Sequence, residues 1–206
     1  MFRKDIEKRS VKNFMMGTRK RGVKRQAELA NIAYAPVEER PEAFGTFNEV
    51  KGLSDERIAV YKDDVNKRVN IGLRGTANIE DIGTDITAVI GGRRASNPYF
   101  QQAQSVLDKV RADNPGYRIT VSGHSLGGSV SRELARNNPD IKAFGYNPGA
   151  FIGDKFRTNP ENFFTFRNKT DVVSMLDNPS NIGGDFFDVP NPLRAHSITT
   201  FTSRED

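Results

Sequence analysis

The chain has 206 residues, of which 36% are hydrophobic and 28% charged, with a formal net charge of +5, a length that suits one domain around a single buried core. No run of about 18 apolar residues occurs, which excludes a transmembrane helix, and the opening MFRKDIEKRS is charged where a secretory leader needs an apolar stretch. With no cysteine and only two histidines, disulfides and thiolate or histidine-rich metal sites are excluded too, so the expectation is an intracellular protein that works without a cofactor.

The charge is concentrated at one end. Residues 1–25 hold ten Lys or Arg against Asp5 and Glu7, a net of +8 that leaves the remainder at −3. The organisation expected is therefore a basic arm over 1–25, solvated or disordered, followed by one domain over 26–206. Such an arm attracts phosphates, either of nucleic acid or of an anionic membrane. Its TRKRGVKR stretch also fits a nuclear localisation pattern, and a nucleus or a virus particle is compatible with it.

After the arm, VKRQAELANIAYA places Val23, Leu29, Ile32 and Ala33 at helical spacing and stops at Pro36. ERIAVYKDD and KRVNIGLRG alternate apolar and polar residues around a polar turn at 63–66, which predicts a hairpin or neighbouring strands. ANIEDIGTDITAVI and YFQQAQSVLDKVRAD return to helical spacing. YRITVSG then reads as a strand, SLGGSVSRELARNN as a helix ending before Pro139, and IKAFGYN and FFTFRN as further strands. Strands alternating with helices predict an α/β domain with a mostly parallel central sheet flanked by helices.

At the junction of the YRITVSG strand and the next helix stands Gly123-His124-Ser125-Leu126-Gly127, a G-x-S-x-G pattern where a nucleophile elbow belongs. The small residues Gly123 and Gly127 suit a strained turn that projects the Ser125 hydroxyl, and the helix start aims the Leu126 N–H at a developing oxyanion. An N-capping serine in a glycine turn is the bland alternative. A serine needs a base, and histidine is the residue suited to that task. His124 is the immediate neighbour of Ser125 and reads as a residue that packs or supports the site from behind, which leaves His196, in LRAHSITTF, as the candidate base. The acid that orients it lies between the two, among Asp140, Asp154, Glu161, Asp171, Asp177, Asp185 and Asp188. Asp171 is best placed, just after FFTFRN and before Val172 and Val173, with Asp177 next, while Asp185 and Asp188 fall in a glycine-bearing loop. For a second oxyanion donor, LRGT offers the N–H and hydroxyl of Thr76 after a turn at Gly75; the same segment also reads as an ordinary turn with Thr76 or Asn78 as N-cap.

Taken in order, LRGT at 73–76, VSGHSLGG at 121–128, NKTDVV at 168–173, the late His196 and the helix ending in AYAP resemble the class 3, or fungal-type, lipases of the α/β-hydrolase superfamily. The resemblance spans about residues 26–201. It implies a Ser125–His196–Asp171 triad, oxyanion donors at Thr76 and Leu126, hydrolysis of a carboxylic ester of a lipid through an acyl-serine, and no cofactor. Three features depart from that family: Leu73 replaces its usual Phe, disulfides are absent, and only GGRRASNP stands where a lid helix would be. The last predicts an open site with little interfacial activation and puts Arg93 and Arg94 near its mouth. The alternative is a catalytically weak hydrolase-fold protein tethered by its arm to nucleic acid, a particle or an anionic membrane.

Overall fold

The computed structural model describes residues 21–76, 97–149, 157–168, 171, 185–187 and 196–203. The helix expected over ANIEDIGTDITAVI, the GGRRAS part of the GGRRASNP segment with Arg93 and Arg94, arm residues 1–20, and Asp154, Asp177 and Asp188 lie outside them. Among the described residues helix α1 covers 21–32, so the last five residues of the basic arm are helical.

Among the described residues one eight-stranded sheet runs in chain order: β1 (Ala43–Phe44), β2 (Phe47–Glu49), β3 (Ile58–Asp63), β4 (Arg68–Leu73), β5 (Arg118–His124), β6 (Lys142–Tyr146), β7 (Phe163–Asn168) and β8 (Asp185–Phe187). The pairs from β1 to β4 are antiparallel and those from β4 to β8 parallel. The expected hairpin is β3–β4, with Ile58 opposite Leu73 and Asp63 opposite Arg68. Its turn is held by the buried Asp63 carboxylate, which accepts hydrogen bonds from Thr46 Oγ1, Asn66 N and Nδ2, and the Arg68 guanidinium. Burial alone pushes Asp63 up, but these donors hold it well below the usual carboxylate range. Asp185, expected in a loop, opens β8 instead. A three-residue strand is fixed by backbone pairing to its neighbour, here Phe166 opposite Asp185, and has no room to show a period.

Helices cover both faces. Helix α2 (Pro98–Asp113) starts with Asn97 accepting from the N–H groups of Tyr99 and Phe100, with proline at its first position. It packs with α3 (Leu126–Asn137) on one face, where Val69, Ile71, Leu73, Ile119 and Val121 meet Ala103, Leu107, Val130 and Leu134 in the main core. On the other face lies α1, whose Ala27 and Ala30 share a cluster with Tyr146, Phe166, Ile198 and Phe201. The small residues let α1 come so close that a Cβ at Gly72 would meet the Leu29 carbonyl oxygen at 2.5 Å. A short α4 (Thr199–Thr202) completes the described chain.

Candidate active site

The parallel strands bring their carboxyl ends to one edge, the usual place for a site in an open α/β sheet. Ser125 sits there between β5 and α3 with φ 54° and ψ −121°. A non-glycine residue in that region is strained, and the surroundings hold it: its N–H donates to Tyr146 O at 3.1 Å, and its carbonyl accepts from Ser129 N and Gly149 N. A Cβ at Gly123 would run into the Gly127 carbonyl, and one at Gly127 into the Leu73 carbonyl. Glycine is required at both because backbone meets backbone there.

His196 reaches the same edge from just before α4. Its segment is anchored by Ile198 and Phe201 in the cluster under α1, by the edge contact of Phe201 with Tyr146 at 5.2 Å, and by Asn168 Nδ2 donating to Thr200 Oγ1. His196 Nε2 lies 2.8 Å from Ser125 Oγ and Nδ1 lies 2.9 Å from Asp171 Oδ1. Asp171 is fully buried three residues beyond β7, with its N–H donating to Asn168 O. The three residues singled out in the sequence thus meet at hydrogen-bonding distance, and all are buried. Of the other acids considered, Asp140 pairs with Arg111 on the surface.

The loop after β4 passes beside Ser125. A Cβ at Gly75 would stand 2.9 Å from Ser125 Cβ and 2.7 Å from the His124 carbonyl, and Thr76 follows, partly buried. The loop is braced by Tyr99 Oη, which donates to the Arg74 or Arg57 carbonyl. Leu126 is the first residue of α3, so its N–H is one that an α-helix leaves without an intrahelical acceptor. Among the described residues no group of three or more acids, histidines or cysteines is disposed to hold a metal ion, and no helix is long and apolar enough to cross a membrane.

Two further residues shape the site, of which sequence reasoning missed Tyr34. Tyr34, just past α1, places its Oη 2.6 Å from His124 Nδ1 and 2.9 Å from Gly75 N. His124, expected to pack or to support the site from behind, does the latter, hydrogen-bonded through Nε2 to the His196 carbonyl. The signal available was weak: a tyrosine at a helix end and a histidine beside a serine.

Residues 70–180 match the family described as lipase (class 3). Among solved structures the chain is similar to the Lip2 lipase of Yarrowia lipolytica, with 19% identity and a TM-score of 0.57 over 85% of this chain and 83% of that one. It is similar too to a triacylglycerol lipase from Penicillium expansum, with 19% identity and a TM-score of 0.50 over 82% of this chain and 76% of that one. At such identities the likeness is one of fold, the α/β-hydrolase fold.

Proposed function

The chain belongs to the class 3 lipase family, a carboxylic ester hydrolase by that membership, and on this premise we propose that residues 26–206 form one domain that cleaves esters of lipids with Ser125 as nucleophile. His196 Nε2 takes the hydroxyl proton as Ser125 Oγ attacks the ester carbonyl carbon. The resulting oxyanion is stabilised by the N–H groups of Thr76 and Leu126. Collapse expels the alcohol, which receives the proton from His196 and leaves an acyl-serine. Water, giving a proton to the same nitrogen, attacks the acyl carbon; the carboxylic acid departs and the serine regains its proton. Asp171 accepts from His196 Nδ1–H, which keeps Nε2 free to act as base and stabilises the imidazolium.

The observation that supports this reading is the unbroken hydrogen-bond chain from Ser125 through His196 to Asp171 at a strained strand-to-helix turn. The test is turnover of p-nitrophenyl esters from short to long acyl chain, with an acylglycerol and a phospholipid alongside, comparing the wild type with Ser125→Ala. Serine-dependent turnover is expected. A folded wild type inactive on every ester would refute the reading and favour a binding role.

The basic arm completes the proposal. Its ten cations within 25 residues support docking on an anionic phosphate-bearing surface, a membrane before nucleic acid given an ester substrate that resides in lipid. Removing residues 1–20 should abolish flotation with phosphatidylserine vesicles and leave the turnover of a soluble ester unchanged. Vesicle binding that survives the deletion, or salt-sensitive retention of nucleic acid in its place, would count against membrane docking. The short GGRRASNP segment supports a site without a lid helix. Activity on a soluble ester should then rise smoothly, with no jump, as the substrate passes its micelle-forming concentration.

A further inference from the structure

Tyr34, His124, Gly75 and His196 form a single line of hydrogen bonds beside the nucleophile. The two ends of the line fix its wiring. Gly75 N–H can only donate, so Tyr34 Oη accepts from it at 2.9 Å and spends its own proton on His124 Nδ1 at 2.6 Å. Nδ1 is therefore the acceptor, and the imidazole proton sits on Nε2, where it is given to the His196 carbonyl, which can only accept. All four groups are satisfied together only with His124 neutral and protonated on Nε2. His196, donating to Asp171 through Nδ1, holds the opposite tautomer. The rings of the two histidines stand 4.9 Å apart.

The array touches both parts of the machinery whose position matters most. One end grips the backbone of Gly75, immediately before the Thr76 donor; the other grips the backbone of the residue that serves as base. Resting on the reading of Ser125 and His196 above, we propose that Tyr34 and His124 are positioning residues that hold the oxyanion loop and the base in mutual register. Burial, then the neighbouring His196, outweighs the hydrogen bond to the His196 carbonyl and the charge of Asp171, and lowers the His124 pKa to about 3. Near neutral pH the wiring consequently has one form, and no second cation opposes the imidazolium that His196 becomes during turnover.

The test compares Tyr34→Phe, His124→Leu and His124→Gln with the wild type on p-nitrophenyl butyrate, alongside Ser125→Ala and the melting temperature of each. Displacing a reacting group by a fraction of an ångström is costly. Tyr34→Phe should lower kcat about tenfold and His124→Leu about 100-fold, with KM within about twofold of wild type. His124→Gln keeps an N–H for the His196 carbonyl and should recover part of what His124→Leu loses. Nitrogen-15 spectra of the histidine rings should show two neutral tautomers of opposite kind near pH 8. Wild-type kcat per folded molecule in Tyr34→Phe and His124→Leu, whatever their melting temperatures, would overturn the proposal, as would a His124 ring protonated on Nδ1. Ser125→Ala separates the two layers. If it retains turnover, the catalytic reading itself falls; if it is inactive while the other variants are normal, only the positioning role falls.

Discussion

The two faces of the central sheet are built from alternate residues of the same strands, yet they are made of different material. Toward α2 and α3, β4 and β5 present Val69, Ile71, Leu73, Ile119 and Val121. Toward α1 the intervening positions are polar and bonded to one another: Asn70 Nδ2 donates to Gln26 Oε1 and Thr120 Oγ1, Ser122 Oγ donates to Asn70 Oδ1, and the line of β5 ends at His124 and Tyr34. Apolar packing tolerates exchange among shapes of similar volume, whereas a buried polar row fixes donors and acceptors one by one. Along β4 and β5, then, one side is apolar packing and the other is the wiring of the site, flanked by the apolar clusters that α1 builds with the neighbouring strands.

The sharpest way to separate the two is at the elbow. Ser125→Ala should cut ester turnover by about 10⁴-fold or more while the urea midpoint hardly moves, because a single hydroxyl contributes little to folding beside its part in catalysis. The converse belongs to the apolar face. Leu134→Ala or Leu107→Ala, at fully buried positions, should cost about 2–5 kcal/mol in urea unfolding and leave kcat per folded molecule near wild type. A large loss of kcat from these core truncations would blur the division.

The polar face should also betray itself through pH. His124 is held at about pKa 3 in the fold, below its ordinary 6.5, so the unfolded chain binds the extra proton at higher pH. Its contribution to stability is complete above about 6.5 and declines as the pH falls toward 3. His124→Gln should flatten the dependence of unfolding free energy on pH between 7 and 5, read against His196, Asp171 and Tyr34 as the neighbouring titratable groups. An unchanged slope would mean that His124 is charged in the fold. The smallest effect is expected far from either face: Arg111→Ala, which loses exposed pairs with Asp108 and Asp140, should shift stability by less than about 1 kcal/mol.

How much of this was legible beforehand follows from the range of each signal. Strands β3 to β7 and helices α1 to α3 announce themselves because each is long enough to show a period of two or of 3.6. Strands β1 and β2, with two and three residues, and β8 exist only by pairing with a neighbour. At the site, Ser125 is visible because strain demands glycine on both sides, and His196 because the chain offers so few bases. Asp171 stands out only by its place after β7, since what joins it to His196 is a contact across 25 residues of chain. The Tyr34–His124 bond spans 90 residues and leaves no pattern in either segment.

At Gly127 the first turn of α3 lies against the carbonyls of Leu73 and Arg74, and at Gly75 the loop after β4 lies against Ser125. Main chain abuts main chain at Gly127, and at Gly75 the loop meets the His124 carbonyl together with the Tyr34 hydroxyl, so the gap in which an ester carbonyl would react has its width set by close backbone contacts and by the buried Tyr34 brace. Side chains farther out are free to change what the gap admits; the gap itself behaves as a machined part, and directed evolution toward new acyl groups should find its useful substitutions around it and none within it.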